Sequence, residues 1–131
     1  MINSEILRPS FKSKIRYNEN LSKYSWFGLG GPAEILFKPD NIEELSTFLI
    51  QAKKNRKTIN IIGAGSNTLI RDGGIKGAII KLSSKFSSIK ILDNNIIEVG
   101  ASSMDKKISD FASENSISGL EFLSCIPGSI G

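Results

Sequence analysis

The residues in this chain best suited to chemistry run from Gly63 to Thr68 and read Gly-Ala-Gly-Ser-Asn-Thr. They follow an apolar, β-branched run, Ile59-Asn60-Ile61-Ile62. A strand that feeds a turn of small residues brings bare backbone N–H groups up to a ligand. Glycine lacks a Cβ, so it takes positive φ and lets another group come close to its backbone. Successive N–H groups in such a turn form a nest, an anion site that needs no lysine. The chemistry this predicts is the holding of a nucleotide cofactor's diphosphate. Taken alone, the same residues also suit a plain tight turn.

Two familiar phosphate loops do not fit. The dinucleotide fingerprint G-x-G-x-x-G opens a helix, but here the third glycine position is Thr68 and the following residues do not read as a helix. A P-loop needs Gly-Lys-Ser/Thr, and Gly65-Ser66-Asn67 has neither the lysine nor the spacing. The chain has no histidine and one cysteine, Cys125. Lacking histidine, it lacks the commonest general base and the commonest metal ligand together. A His-dependent triad and a typical His-containing zinc site are therefore excluded, and no catalytic or metal-ligating residue is assigned. A lone cysteine excludes an internal disulfide and fits a reducing cytoplasm. Cys125 itself reads as a small buried residue rather than a reactive thiol.

The elements that must position the loop follow from periodicity. Residues 1–20 carry scattered apolar positions (Ile6, Leu7, Phe11, Ile15) interrupted by Pro9, and read as an N-terminal arm or short helix. Residues 21–83 read as a first subdomain. In it, 33–39 is a strand stopped by Pro39, which supplies no ladder N–H. Asp40 or Asn41 opens a helix, and Asp40 with Glu43 has the spacing of a capping box. Behind them Ile42, Leu45, Phe48, Leu49 and Ala52 form one helical stripe. Lys53, Lys54, Arg56 and Lys57 gather where cations complement the helix dipole. The strand 58–62 then returns, and strand–helix–strand predicts a parallel crossover. After the loop, 71–74 is a turn and 76–82 another strand. The serines of 83–88 mark a boundary, beyond which 84–131 read as the start of a second subdomain. It opens with a hairpin around Asp93-Asn94-Asn95. A helix follows, with Met104, Ile108, Phe111 and Ala112 on one face, capped by Ser103 and stopped by Asn115.

Composition narrows the function classes. At 131 residues, 40% hydrophobic and 23% charged, the chain is of globular type. Its net charge of +4 slightly favours acidic ligands. No basic run interleaved with aromatics points to nucleic acid. No stretch approaches the ~20 apolar residues of a membrane span, and the start Met1-Ile2-Asn3-Ser4-Glu5 does not read as a signal peptide. The expected location is the cytoplasm.

Three segments occur in order: Trp26-Phe27-Gly28-Leu29-Gly30-Gly31-Pro32-Ala33, then Gly63-Ala64-Gly65-Ser66-Asn67-Thr68-Leu69, then Gly119-Leu120-Glu121-Phe122-Leu123 through Ile126-Pro127-Gly128-Ser129-Ile130-Gly131. From about residue 18 to the last, the chain resembles the UDP-N-acetylenolpyruvoylglucosamine reductases, enzymes of peptidoglycan-precursor synthesis. The resemblance implies an α+β flavin domain of the PCMH (vanillyl-alcohol-oxidase-like) type. Two small subdomains would clasp non-covalent FAD, the second of them truncated and the substrate domain absent. It implies that Gly63, Ala64, Gly65, Ser66, Asn67 and Thr68 take the diphosphate. Ile126, Gly128, Ser129 and Gly131 would line the cofactor from the other side, and Gly30-Gly31-Pro32 would be architectural. Family members use NADPH to reduce the flavin, which passes a hydride to the enolpyruvyl group of the UDP-sugar while an active-site acid protonates the neighbouring carbon.

Two positions depart from that pattern. Gly28 stands where relatives commonly carry a base, and Cys125 where they typically have glycine. The family's catalytic serine and glutamate and its substrate-side arginine lie in later segments with no counterpart here. The expectation is an FAD-binding portion, a fragment that binds FAD weakly and does not turn over alone. It would meet the UDP-sugar only if a complementing polypeptide supplies the rest. The alternatives are a non-catalytic remnant and a flavin-binding module of another PCMH-type oxidoreductase.

Overall fold

A strand with no polar face belongs in the middle of a sheet, and Ala78, Ile79 and Ile80 are all buried. In the computed structural model, which describes residues 14–93 and 95–131, they lie in the central strand β4 (Ile75–Ile80). Before it come β1 (Ile15–Asn20), β2 (Pro32–Phe37), helix α1 (Ile42–Lys54) and β3 (Ile59–Ile61). The sheet order is β1-β2-β4-β3. β4 runs parallel to both β2 and β3, and β1 is antiparallel to β2. The predicted crossover from β2 through α1 to β3 is present, but it leaves a gap that β4 later fills.

The sheet is covered on both faces. On one, Ile35, Phe37, Ala78 and Ile80 pack with Ile15 against Phe48 and Ala52 of α1. The rings of Phe37 and Phe48 stack with centroids 4.2 Å apart and planes 23° apart. On the other, Ala33, Leu36 and Ile79 pack with Leu21, Ile62 and Ile70. Of the predicted helical stripe, Phe48 and Ala52 are buried and Leu45 partly so, whereas Ile42 and Leu49 face solvent.

Three local expectations need correction. Residues 15–20 are not helix or free arm but strand β1, because Ile15, Arg16 and Tyr17 pair with Phe37, Leu36 and Ile35. The rest of the expected arm (Ile6, Leu7, Pro9, Phe11) lies outside the described residues, as does Asn94 of the hairpin turn. Helix α1 opens at Asn41, one of the two expected starts, but its capping pair is Asn41 and Glu44 rather than Asp40 and Glu43: Asn41 Oδ1 accepts from Glu44 N at 2.9 Å, and Glu44 Oε2 accepts from Asp40 N at 2.9 Å. Ser103 does not cap the second helix, α2 (Asp105–Glu114); Met104 occupies that position with no side-chain cap bond. Ser103 turns inward, and its Oγ has no partner among the described residues.

Glu44 also joins an ion-pair cluster. Lys14 Nζ lies 2.6 Å from Glu44 Oε1 and 3.0 Å from Asp40 Oδ2, tying the start of β1 to the start of α1. The Lys14 ammonium holds both carboxyls below their usual range, and they hold its own value above the usual lysine range. A depressed carboxyl contributes stability above its unfolded pKa and loses it as pH falls through the folded value. Lys14, being raised, contributes below its unfolded value and loses this as pH rises through the folded one. Glu44→Gln is therefore expected to lower the urea midpoint at pH 7, with the gap to the parent closing as pH falls below about 4. A gap unchanged at acid pH would refute the linkage.

The second unit begins where the serines mark a boundary. Strands β5 (Ile89–Asp93) and β6 (Ile96–Val99) form an antiparallel hairpin, and α2 packs on a 3₁₀ turn at Glu121–Cys125. Ile108 and Ala112 carry the buried side of α2, and Asn115 is its C-cap. The tail then turns back beside the start of α2, where Met104 and Ser129 form an antiparallel bridge. Asp105 N donates to Gly128 O, Ile130 N to Ser103 O and Gly131 N to Ala101 O, each at 3.0 Å.

Candidate functional site

The site begins where β3 runs out. Ile62 N still donates to Ile80 O at 3.0 Å, and then the chain leaves the sheet. Gly65 sits at φ +75°, and a Cβ there would lie 1.9 Å from the Tyr24 carbonyl oxygen. The loop is braced at that point: Trp26 N donates to Gly65 O at 3.0 Å, and Ser25 Oγ donates to Thr68 O at 2.8 Å. Lys81, just past β4, donates from Nζ to the Gly63 carbonyl. These bonds use the loop's carbonyls and leave its own donors over. The N–H groups of Gly63, Ala64, Gly65, Ser66 and Asn67 find no acceptor among the described residues. That is the arrangement of an anion nest.

The third motif faces it. A Cβ on Gly63 would come within 2.8 Å of Ser129 Oγ and 3.3 Å of Gly131 O, so the two segments approach over a glycine. A Cβ on Gly128 would lie 2.8 Å from Asp105 Oδ2, with Ser66 Oγ at 3.9 Å. The N–H groups of Gly128 and Ser129 are likewise without acceptors among the described residues. Between the segments opens a cleft of about 410 Å³, within the range of small-molecule sites. Gly63, Ala64 and Lys81 line one wall, and Lys107, Ser129 and Gly131 the other.

The remaining predicted residues fall around the cleft rather than on its lining. Gly65 is buried behind the loop, and Ser66 is half-buried beside Gly128. Asn67 is exposed, and Thr68 is engaged through its carbonyl. Ile126 is 44% exposed and adjoins Gly128. Gly31 is architectural: its N–H donates to Arg71 O, and a Cβ there would meet Asp72 O at 1.9 Å. Gly28, at φ +66°, stands in open space.

Cys125 corrects one expectation, for it is exposed rather than buried. Its φ is not positive, so replacing the family's glycine there incurs no left-handed strain. Sequence reasoning passed over Lys81 and Lys107. The signal for Lys81 was the period-2 alternation of β4, which continues past Ile79 to place Lys81 on the same face. Burial, and after it the Lys38 charge, pull its ammonium below the usual lysine value.

No helix among the described residues is long and apolar enough to cross a membrane. Residues 33–131 match the family described as FAD binding domain. The chain is 50% identical over 119 residues to the UDP-N-acetylenolpyruvoylglucosamine reductase of Pelagibacter ubique, an alignment covering 91% of this chain and 39% of that protein. It is 47% identical over 126 residues to the reductase of Rickettsia rickettsii, covering 96% and 42%. The crystal structure of the Thermus caldophilus reductase superposes with a TM-score of 0.68 at 30% identity, over 89% of this chain and 40% of that one. The chain thus spans about two-fifths of the length of the relatives it matches. The α+β architecture, the paired glycine segments and these similarities agree, and the chain belongs to the FAD binding domain family.

Proposed function

We propose that this chain binds FAD non-covalently in the cleft between its two units, as the cofactor-holding portion of an NADPH-dependent UDP-N-acetylenolpyruvoylglucosamine reductase acting in the cytoplasm. The observation that carries the reading is the run of free N–H groups at 63–67 in a loop that approaches Gly128 and Ser129, whose N–H groups are also free. The residues fit the cofactor. Adjacent N–H donors suit a diphosphate, Gly63 and Gly128 keep Cβ atoms out of the approach of the two segments, and Gly65 lets the loop pack on Tyr24. Asp105 Oδ1, buried close to Gly128 and unpartnered among the described residues, suits a ligand that brings hydroxyl donors.

In this reading the 63–68 loop fixes the diphosphate, while the Ser25 and Trp26 contacts behind it keep the N–H groups aimed. Gly128, Ser129 and Gly131 close the other side, and Ile126 offers an apolar edge. When bound, FAD supplies the hydride relay between a nicotinamide donor and the enolpyruvyl group of the UDP-sugar. The proton donor and the substrate-binding groups come from outside these 131 residues, so the chain alone does not turn over. Exposed apolar residues on the second unit (Ile91, Leu92, Ile96, Phe122, Ile130) support a further polypeptide segment covering it.

Purified protein titrated with FAD tests the reading. Quenching of flavin fluorescence and a retained flavin absorption band are expected, with no NADPH oxidation in the presence of the enolpyruvyl sugar. Absence of FAD binding would overturn the cofactor assignment, and turnover would overturn the inactivity.

A further inference from the structure

Of the four half-buried lysines among the described residues, Lys14, Lys38, Lys57 and Lys81, two have a carboxylate partner. Lys14 Nζ has Glu44 at 2.6 Å and Asp40 at 3.0 Å, and Lys57 Nζ has Glu34 Oε1 at 2.5 Å. Lys38 has the Tyr24 ring, 5.9 Å from its Nζ, and Lys81 has neither kind of partner. Its Nζ carries three donors, yet it reaches only the Gly63 carbonyl and no carboxylate among the described residues. Lys107 on α2 is exposed and also without a partner, although its neighbour Lys106 pairs with Asp110 at 2.9 Å. Both lysines line the same cleft from opposite walls, and no aspartate or glutamate lines it with them. A half-buried cation is stable when an anion compensates its lost hydration. Nothing within the described protein does so here.

We propose that Lys81 and Lys107 are the two cation partners of the cofactor's diphosphate, so that the dianion ties the first sheet to α2. This rests on the FAD reading above and adds to it. The nest supplies neutral N–H donors, and these side chains supply the neutralising charge from either side of the cleft. Lys81 has a second part, for through Gly63 O it holds the first residue of the nest in place. Binding then draws the two units together, because each contributes one cation to the same ligand.

The test is FAD titration of the protein, followed by flavin fluorescence at several salt concentrations, with K81M, K81R and K107M. A charge-assisted bond lost from each methionine variant is expected to weaken binding about tenfold or more, and to flatten the dependence of affinity on salt. K81R retains most of the affinity and the parent's salt slope. K107M leaves the melting temperature without FAD unchanged, since its ammonium has no protein partner. Parent-like affinity and salt slope in K81M and K107M would overturn the inference and leave the FAD reading standing. Weakened binding with an unchanged salt slope would reduce Lys81 to a brace of the loop and overturn it equally. Failure of the unmutated protein to bind FAD would overturn both.

Discussion

Gly65→Val is expected to abolish FAD binding, with a loss of affinity beyond about a hundredfold, while Lys76→Ala leaves it intact. Two separate effects converge at Gly65. Its φ of +75° lies where an L-residue with a branched Cβ is strongly disfavoured. A Cβ would also lie 1.9 Å from the Tyr24 carbonyl oxygen, a backbone atom that no side-chain rotation can move away. The loop must therefore lift off residues 24–26, breaking the bond from Trp26 N to Gly65 O. That bond holds the Gly65 carbonyl, and with it the adjoining peptide planes, in place. Lys76 is exposed on the turn side of β4 and lines no part of the cleft. Titration of both variants with FAD, after circular dichroism has established that each is folded, decides the matter. Equal binding by the two would disprove the nest assignment.

Phe48→Ala is expected to give the largest loss of stability, about 3–5 kcal/mol. The Phe48 side chain is fully buried, and it is the ring through which α1 holds the sheet, stacked on Phe37. Truncation removes the burial of a large apolar side chain, leaves a cavity between Ile35, Ala52 and Ile80, and forfeits the ring pair. Domains of this kind are stable by only about 5–15 kcal/mol in total, so the variant stands near the edge of folding at 25 °C. Urea denaturation measures the loss. Because FAD binds the folded form, saturating cofactor raises the apparent midpoint of parent and variant alike. A loss below about 1 kcal/mol would show that the Phe37–Phe48 contact is not the seat of the core.

The turn after β3, with Gly65 at positive φ, was legible in the sequence, because a β-branched run ending in Gly-Ala-Gly-Ser-Asn carries its own local geometry. So were α1, the hairpin and the stop of α2 at Asn115. Each follows from near-neighbour spacing: a helical stripe, turn residues between alternating runs, a cap. The errors fell where a choice is made against a distant partner. Ile15–Asn20 has no strand pattern of its own, and it becomes a strand because β2 offers an open edge. The capping box moved from Asp40 and Glu43 to Asn41 and Glu44, where Lys14 adds an ion pair from 30 residues away. Ser103 was drawn inward beside the tail and away from its capping role.

The sequence by itself therefore determined which segments could hold an anion, and which glycines had to be glycines for backbone to approach backbone. Only the tertiary structure decided that β4 inserts between β2 and β3, which carries Lys81 to the cleft beside Gly63. It also decided that the tail folds over α2 and brings Gly128, Ser129 and Gly131 to face Gly63. The reason is physical. Donor geometry within a turn is set by a few adjacent torsions. Strand order and the meeting of segments some 60 residues apart are set by which faces can be buried together, and no local pattern records that.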